Sequence, residues 1–320
     1  MKILINNCYY SPKNDFKEEI EILKNAFENN IEIEIYDYKN KKEFIEKLQG
    51  TDILMTNNLN LDEEILKNAK NLELISLMQN NYQNVDIEFA KKKNIVIALS
   101  KEDFEVEVAE SALAMAFALN RGIKFYDVEI ELFKIWDYTK LKEPKTMEEM
   151  SIGIIGYNRF GRYTSKKFAP LVKDIMIYDS EEIKSFNNEK IVDFDYLLEN
   201  SDIIINHMDF NEGEFFNLEK FKKMKEKPLF IDLSEKMQIN KEDLISSLNK
   251  GYIKGAGLDS IDYRKLEIYG ERLFERSNVI ITPNSSFYSK NSMDKLRKNA
   301  CLNIINYINK NYKEIPILIK

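Results

Sequence analysis

The run GYNRFG at 156–161, followed eighteen positions after its last glycine by Asp179, has the residue types and spacing to hold a dinucleotide. Gly156 and Gly161 let backbone N–H groups at a helix N-terminus approach a pyrophosphate, and Arg159 and Phe160 complete the turn between them. Asp179, closing the next apolar run, is placed to accept hydrogen bonds from ribose hydroxyls. The fingerprint's middle glycine is replaced by Asn158. Asn tolerates the left-handed backbone better than most residues, but its side chain crowds the phosphate. Ser180 follows Asp179 and no Arg comes immediately after, which favours NAD over NADP, since an acid there repels a 2′-phosphate.

The elements around this run read as a βαβ unit: strand Ile152–Ile155, turn Gly156–Gly161, helix Arg162–Val172 and strand Ile175–Tyr178. Before it, short apolar strands (Lys2–Asn6, Ile31–Tyr36, Ile53–Thr56, Leu72–Met78, Ile95–Leu99) alternate with helices (Phe16–Glu28, Phe44–Leu48, Asp62–Ala69, Ile87–Lys93). Five such strands imply a parallel, flavodoxin-like sheet covered on both faces. A long helix over Phe104–Asn120 is apolar enough to be buried between layers or domains. From Lys124 to Met147 the pattern loosens around the only tryptophan, Trp136, as in an arm that leaves the domain body toward a second subunit. After the βαβ unit, strands are expected at Ile203–His207, Leu229–Leu233, Gly255–Leu258 and Val279–Thr282, with helices at Phe221–Met224 and Lys241–Asn249. A last helix, Lys290–Asn309, can return to the first domain. The expected fold class is therefore α/β: two Rossmann/flavodoxin-like domains with parallel sheets and a cleft between them. The boundaries are residues 1–100 with 288–320, and 101–287.

Composition narrows the function. With 320 residues, 44% of them hydrophobic and 32% charged, the chain suits two domains. A net charge of −7, with Lys and Glu interspersed rather than gathered in basic blocks, argues against nucleic acid as a partner. No apolar run approaches the roughly 20 residues of a membrane span, and the N-terminus has strand character, so a cytoplasmic location is expected. Cys8 and Cys301 are the only cysteines, too few for a disulfide framework or zinc cluster. One histidine, His207, further restricts acid–base and metal chemistry.

Over nearly its whole length the chain resembles the D-isomer-specific 2-hydroxyacid dehydrogenase family. The resemblance is carried by LISLMQNNYQNVDIEFAKKKNIVI (74–97), VAESALAMAFAL (108–119), SIGIIGYNRFGR (151–162), IYDS (177–180) and SDIIINH (201–207). It continues through FKKMKEKPLFIDLS (221–234), GYIKGAGLDS (251–260) and NVIITPN (278–284). The family implies two domains with the active site in the cleft between them, NAD or NADP as cofactor, and usually a homodimer. It places His207, Leu233, Ser234 and Asp259 on the cofactor side, with Asp259 near the nicotinamide end, and Gln79, Asn80 and Asn81 in the loop that meets the substrate carboxylate.

Family chemistry also needs an Arg that clamps the substrate carboxylate, a His that moves the hydroxyl proton, and a Glu that hydrogen-bonds the His. Carried over by position, these are Glu235, Asn284 and Arg264. A neutral amide in place of the His forfeits about 10²–10⁴ in rate. Glu for Arg removes an attraction and adds a repulsion, each of order 4 kcal/mol at ~4 Å and an effective dielectric of ~20. Glu235 and Arg264 have exchanged charge and can pair across the old site. Lys236 and Tyr82 are alternative proton donors or anion clamps, against surface and loop roles. Two readings follow: a family oxidoreductase with a remodelled substrate site, or a catalytically silent dinucleotide-binding sensor or scaffold.

Overall fold

The computed structural model describes residues 1–7, 15–101, 104–185, 189–208, 214–234, 238–259 and 271–319. Residues 1–103 with 289–320 form one compact unit and residues 104–288 a second.

The first unit opens with β1 (Lys2–Asn7), α1 (Lys17–Ala26), β2 (Glu32–Asp37), α2 (Lys41–Leu48), β3 (Ile53–Thr56), α3 (Glu63–Asn68), β4 (Leu74–Leu77), α4 (Ile87–Lys92) and β5 (Val96–Leu99). β3 and β4 are buried at every position, the signature of a parallel sheet covered on both faces. Helix starts are set by side-chain caps: Asp62 accepts the Ile65 N–H at 3.1 Å and Asp86 the Phe89 N–H at 3.0 Å.

The second unit contains α5 (Glu105–Asn120), α6 (Ile123–Phe133), β6 (Ser151–Ile155), α7 (Arg159–Phe168), β7 (Asp174–Tyr178), β8 (Lys190–Ile191), α8 (Phe194–Asn200) and β9 (Ile203–Asn206). It continues with α9 (Leu218–Lys222), β10 (Leu229–Asp232), α10 (Lys241–Lys250), β11 (Gly255–Leu258), α11 (Glu271–Phe274) and β12 (Val279–Ile281). Its sheet runs β12-β11-β10-β9-β6-β7-β8, parallel throughout. α5 lies directly on this sheet: a Cβ on Gly257 would stand 2.9 Å from Met115 Sδ.

The chain then returns to the first unit through α12 (Lys290–Ile308) and β13 (Ile317–Ile319). Arg297 Nε meets the buried Glu19 of α1 at 2.9 Å, and Asn303 Nδ2 donates to Leu99 O at 2.9 Å. The finished sheet has the order β13-β5-β4-β3-β1-β2.

Several expectations are corrected. The sheet of the first unit has a sixth strand, β13, and it is antiparallel to β5. The loosened stretch after Lys124 contains a regular helix, α6, whose residues are none of them buried. α7 begins at Arg159 instead of Arg162, because Asn158 caps it, and ends at Phe168, two residues before Pro170. β8 and α8 lie between β7 and β9, where no element is expected from the sequence; Asp193 caps α8 by accepting the Tyr196 N–H at 2.8 Å.

Candidate functional site

In the second unit the polar candidates stand along one edge, the carboxyl ends of the strands. In sheet order these are Asn284 after β12, Asp259 after β11, Leu233 and Ser234 after β10, His207 after β9, Gly156 after β6 and Asp179 after β7. Strand order reverses at β6, which lies between β9 and β7, so Gly156 and His207 flank the topological switch point where open α/β sheets bind ligands.

The turn itself needs its outer glycines. Gly156 has φ +87°, and a Cβ there would stand 2.8 Å from Met208 N. A Cβ on Gly161 would stand 2.0 Å from Gly156 O, so only glycine lets α7 approach β6 this closely. Asn158 departs from expectation: its φ is −68°, outside the left-handed region. Its Oδ1 accepts the N–H groups of Phe160 at 2.9 Å and Gly161 at 3.2 Å, while Nδ2 donates to His207 O at 3.0 Å. The side chain thus occupies the helix-start amides that a pyrophosphate would use.

Asp179 fastens the turn from the other side. Its Oδ2 accepts the Tyr157 N–H at 2.7 Å and its Oδ1 the Glu181 N–H at 3.2 Å. Arg159 lies 3.5 Å from Glu105 and stacks over the Phe160 ring at 4.7 Å; Phe160 in turn packs on Phe104. Both flanking side chains are therefore engaged within the unit.

His207 is buried, with Nε2 2.9 Å from Thr164 Oγ1 and, among the described residues, no hydrogen-bond partner for Nδ1. Burial pushes its pKa down from 6.5 to about 3, so the ring is neutral across the physiological range. This is a structural environment and unsuited to an acid–base catalyst at neutral pH.

Leu233 and Ser234 are buried, and Ser234 Oγ turns inward to Asp232 Oδ1 at 2.7 Å. Asp259, also buried, closes the loop that carries Asn284: it accepts from Thr282 Oγ1 at 2.6 Å, Ser285 N at 2.8 Å and Ser286 N at 2.9 Å. Asn284 is exposed at the tip of that loop with φ +52°. Glu235, Lys236 and Arg264 lie outside the described residues.

In the first unit, Gln79 is buried and committed to its own loop. Its Oε1 accepts Asn58 N at 2.6 Å, and its Nε2 donates to Asn81 O at 2.8 Å and Asn84 Oδ1 at 2.7 Å. Asn81 and Tyr82 are exposed, and Asn80 is half-buried.

Sequence reasoning missed the support beneath the turn. Tyr157, 1% exposed, donates its OH to Glu189 Oε1 at 2.6 Å, and the same buried carboxylate accepts from Ser165 Oγ and, at 2.8 Å, from Ser185 Oγ. Glu189 precedes a two-residue strand in an aperiodic stretch, so nothing in its neighbourhood marks it as buried.

Comparison with known proteins decides the family. Residues 113–286, more than half the chain, match the profile of the D-isomer specific 2-hydroxyacid dehydrogenase, NAD binding domain. The chain belongs to this family. It is similar to the hydroxypyruvate reductase of Blautia hydrogenotrophica, 28% identical over 280 residues that cover 83% of this chain and 85% of that protein. It is also similar to the glyoxylate reductase of Thermococcus litoralis, 27% identical over 274 residues and covering 82% of each. Among solved structures, a D-lactate dehydrogenase from Treponema pallidum superposes with a TM-score of 0.82 at 20% identity, covering 97% of both chains. The NAD-complexed D-isomer specific 2-hydroxyacid dehydrogenase of Lactobacillus delbrueckii ssp. bulgaricus gives 0.77 at 21%, covering 97% of this chain and 98% of that one. These likenesses bear out the α/β fold class with two Rossmann-like domains. The family member therefore carries an oxidoreductase-type NAD binding domain for a nicotinamide dinucleotide. Among the described residues, no helix is long and apolar enough to cross a membrane.

Proposed function

We propose that this chain binds NAD in preference to NADP and that its substrate site has been remodelled away from ordinary 2-hydroxyacid oxidation. When bound, the dinucleotide supplies hydride transfer. The chain's own residues would hold it: Gly156 and Gly161 keep the turn free of Cβ atoms where the pyrophosphate would pass, and Asp179, at the end of β7, would meet the adenosine ribose with a charge that disfavours a 2′-phosphate. The observation that carries the remodelling is Asn284. At the family His position stands a neutral, exposed amide on a loop clamped by Asp259, which can neither take nor give a proton at neutral pH. Glu235 and Arg264, at the Arg and Glu positions, support the same reading by charge. The ligand is a small molecule, and the active form is a homodimer joined through the segment around α6. Leu132 (70% exposed), Trp136 (89%) and Tyr138 (84%) give that segment the apolar outer face a partner subunit would cover.

A second reading is favoured by Asn158. Its side chain already accepts from the helix-start amides a pyrophosphate would use, which supports the catalytically silent alternative, and within it a protein-interaction scaffold over a dinucleotide sensor.

Thermal unfolding with NAD, NADH, NADP and NADPH tests the binding claim. NADH at a hundredfold excess over Kd is expected to add about 2.7 kcal/mol of stability, and Asp179→Ala to weaken NADH more than NADPH. Equal and negligible shifts with all four nucleotides would contradict it.

A further inference from the structure

The second unit has another concavity, at the opposite edge of its sheet from the dinucleotide turn. A cavity of about 420 Å³ opens where β6, β9, β10, β11 and β12 begin, bordered by Met150, Asp202, Leu229, Lys254 and Asn278. That volume is in the range of small-molecule sites.

Its outer wall is a built structure. The segment after α6 folds back onto the α5–α6 junction, where Leu141 packs against Gly122 (φ +60°) so closely that a Cβ would stand 2.1 Å from Leu141 Cδ1. Asn120 Nδ2 donates to Lys145 O at 3.0 Å and Tyr126 OH to Tyr138 O at 2.7 Å, holding the segment in place.

The charge of the lining is unusual for a chain of net charge −7. Four lysines (124, 142, 145 and 254) stand against two carboxylates, Glu143 and Asp202. Asp202 is already committed: it accepts from Lys145 Nζ at 2.6 Å and from Ser151 N at 3.0 Å. Lys124 is half-buried and donates to two backbone carbonyls, Val279 O at 2.7 Å and Phe274 O at 3.4 Å. Among the described residues no carboxylate lies within ion-pair distance of Lys124 or Lys254. Burial holds the Lys124 ammonium below its usual range. Lys254 is also held below its usual range although its side chain is exposed. Partial desolvation of the ammonium is the main cause, with Lys145 and Lys142 adding repulsion that Asp202 and Glu226 partly offset. An anion would compensate both groups. The remaining wall is largely apolar, with Leu119, Phe125, Leu141, Leu229 and Ile280 facing the space.

We propose that this cavity is a second ligand site, for an anion with an apolar body of the medium-chain carboxylate class, its head drawn to Lys124 and Lys254 and its chain laid against Leu119, Phe125 and Leu229.

Binding of octanoate, octan-1-ol and inorganic phosphate to the full chain, followed by calorimetry and ligand-observed NMR, tests this. Octanoate is expected to bind saturably, with octanol and phosphate each at least tenfold weaker. Lys254→Gln and Lys124→Met are expected to weaken octanoate about tenfold each, and Lys254→Glu to abolish it. Lys254 is a surface residue whose replacement leaves the backbone bonds of β11 intact, so it decides the matter should Lys124→Met fail to fold. Saturating NADH and Asp179→Ala are expected to leave octanoate binding unchanged, which separates this site from the dinucleotide turn. No octanoate binding, equal binding of octanol or phosphate, or binding indifferent to Lys254→Glu would overturn the proposal.

Discussion

Asn158 joins two jobs in one side chain: it starts α7 by accepting the Phe160 and Gly161 amides, and in doing so it keeps those amides from a phosphate. Replacing an Asn cap by Gly costs only a few tenths of a kcal/mol of helix stability, whereas freed N–H groups bonding an anion gain about 1.5–3 kcal/mol each. Asn158→Gly is therefore expected to leave the melting temperature nearly unchanged and to tighten NADH about tenfold by calorimetry. Unchanged or weaker affinity would show that the cap does not compete. His207 gives a second test, sharpened by its being the only histidine. Its folded pKa of about 3 lies below the ordinary 6.5. The unfolded chain therefore binds the extra proton, and this stability contribution is intact above pH 6.5 and lost as pH falls toward 3. Between pH 7 and pH 5 the loss is about 2 kcal/mol, in a window where most carboxylates stay ionised. Urea unfolding of His207→Gln is expected to lack that slope; an identical slope in both proteins would refute the neutral buried imidazole.

At the scale of elements, α12 must be held against a sheet whose other strands lie some 200 residues earlier in the chain. The Arg297–Glu19 pair, with side chains 14% and 4% exposed, ties it to α1. Removing one member of such a pair leaves a buried charge uncompensated, at about 3–5 kcal/mol. Arg297→Met is expected to destabilise the chain by roughly that amount in urea, and Glu19→Gln with Arg297→Met together by less than the sum of the single changes. Additive losses would mean that the two side chains do not act as a pair. Elements of this kind are legible when periodicity is strong: the continuous apolar runs of β3, β4 and β9 and the stripe of α12 stand out in the sequence. α6 does not, because none of its residues is buried and Ile123, Ile130, Leu132 and Phe133 are exposed, so no core-facing stripe marks it. β13 is a three-residue edge strand, below the length at which alternation can be recognised. The site shows the same division. Gly156 and Gly161 are visible because the turn has no room for a side chain there, and Asp179 because an acid closes the next apolar run at the fingerprint's spacing. The inward turn of Ser234 and the Tyr157–Glu189 support depend on which way side chains point, and spacing alone does not encode that.

For the whole molecule, the proposal joins a family NAD binding domain to Glu235, Arg264 and Asn284 at the positions that the resemblance assigns to substrate clamping and proton transfer. A retained frame without the family's ordinary chemistry, as proposed, is physically consistent. The glycines and strand ends that shape the turn are required for packing, so they persist whether or not a substrate is turned over. Nothing in packing requires a histidine on the exposed loop at Asn284, whose shape is fixed instead by three bonds to Asp259. The most direct test of the proposed remodelling is NADH oxidation, followed by absorbance, with glyoxylate and hydroxypyruvate as substrates, the acids named in the relatives' activities. No turnover above background is expected from the wild-type chain. Turnover at ordinary enzyme rates, ~1–10³ s⁻¹, surviving Asn284→Ala, would contradict the account.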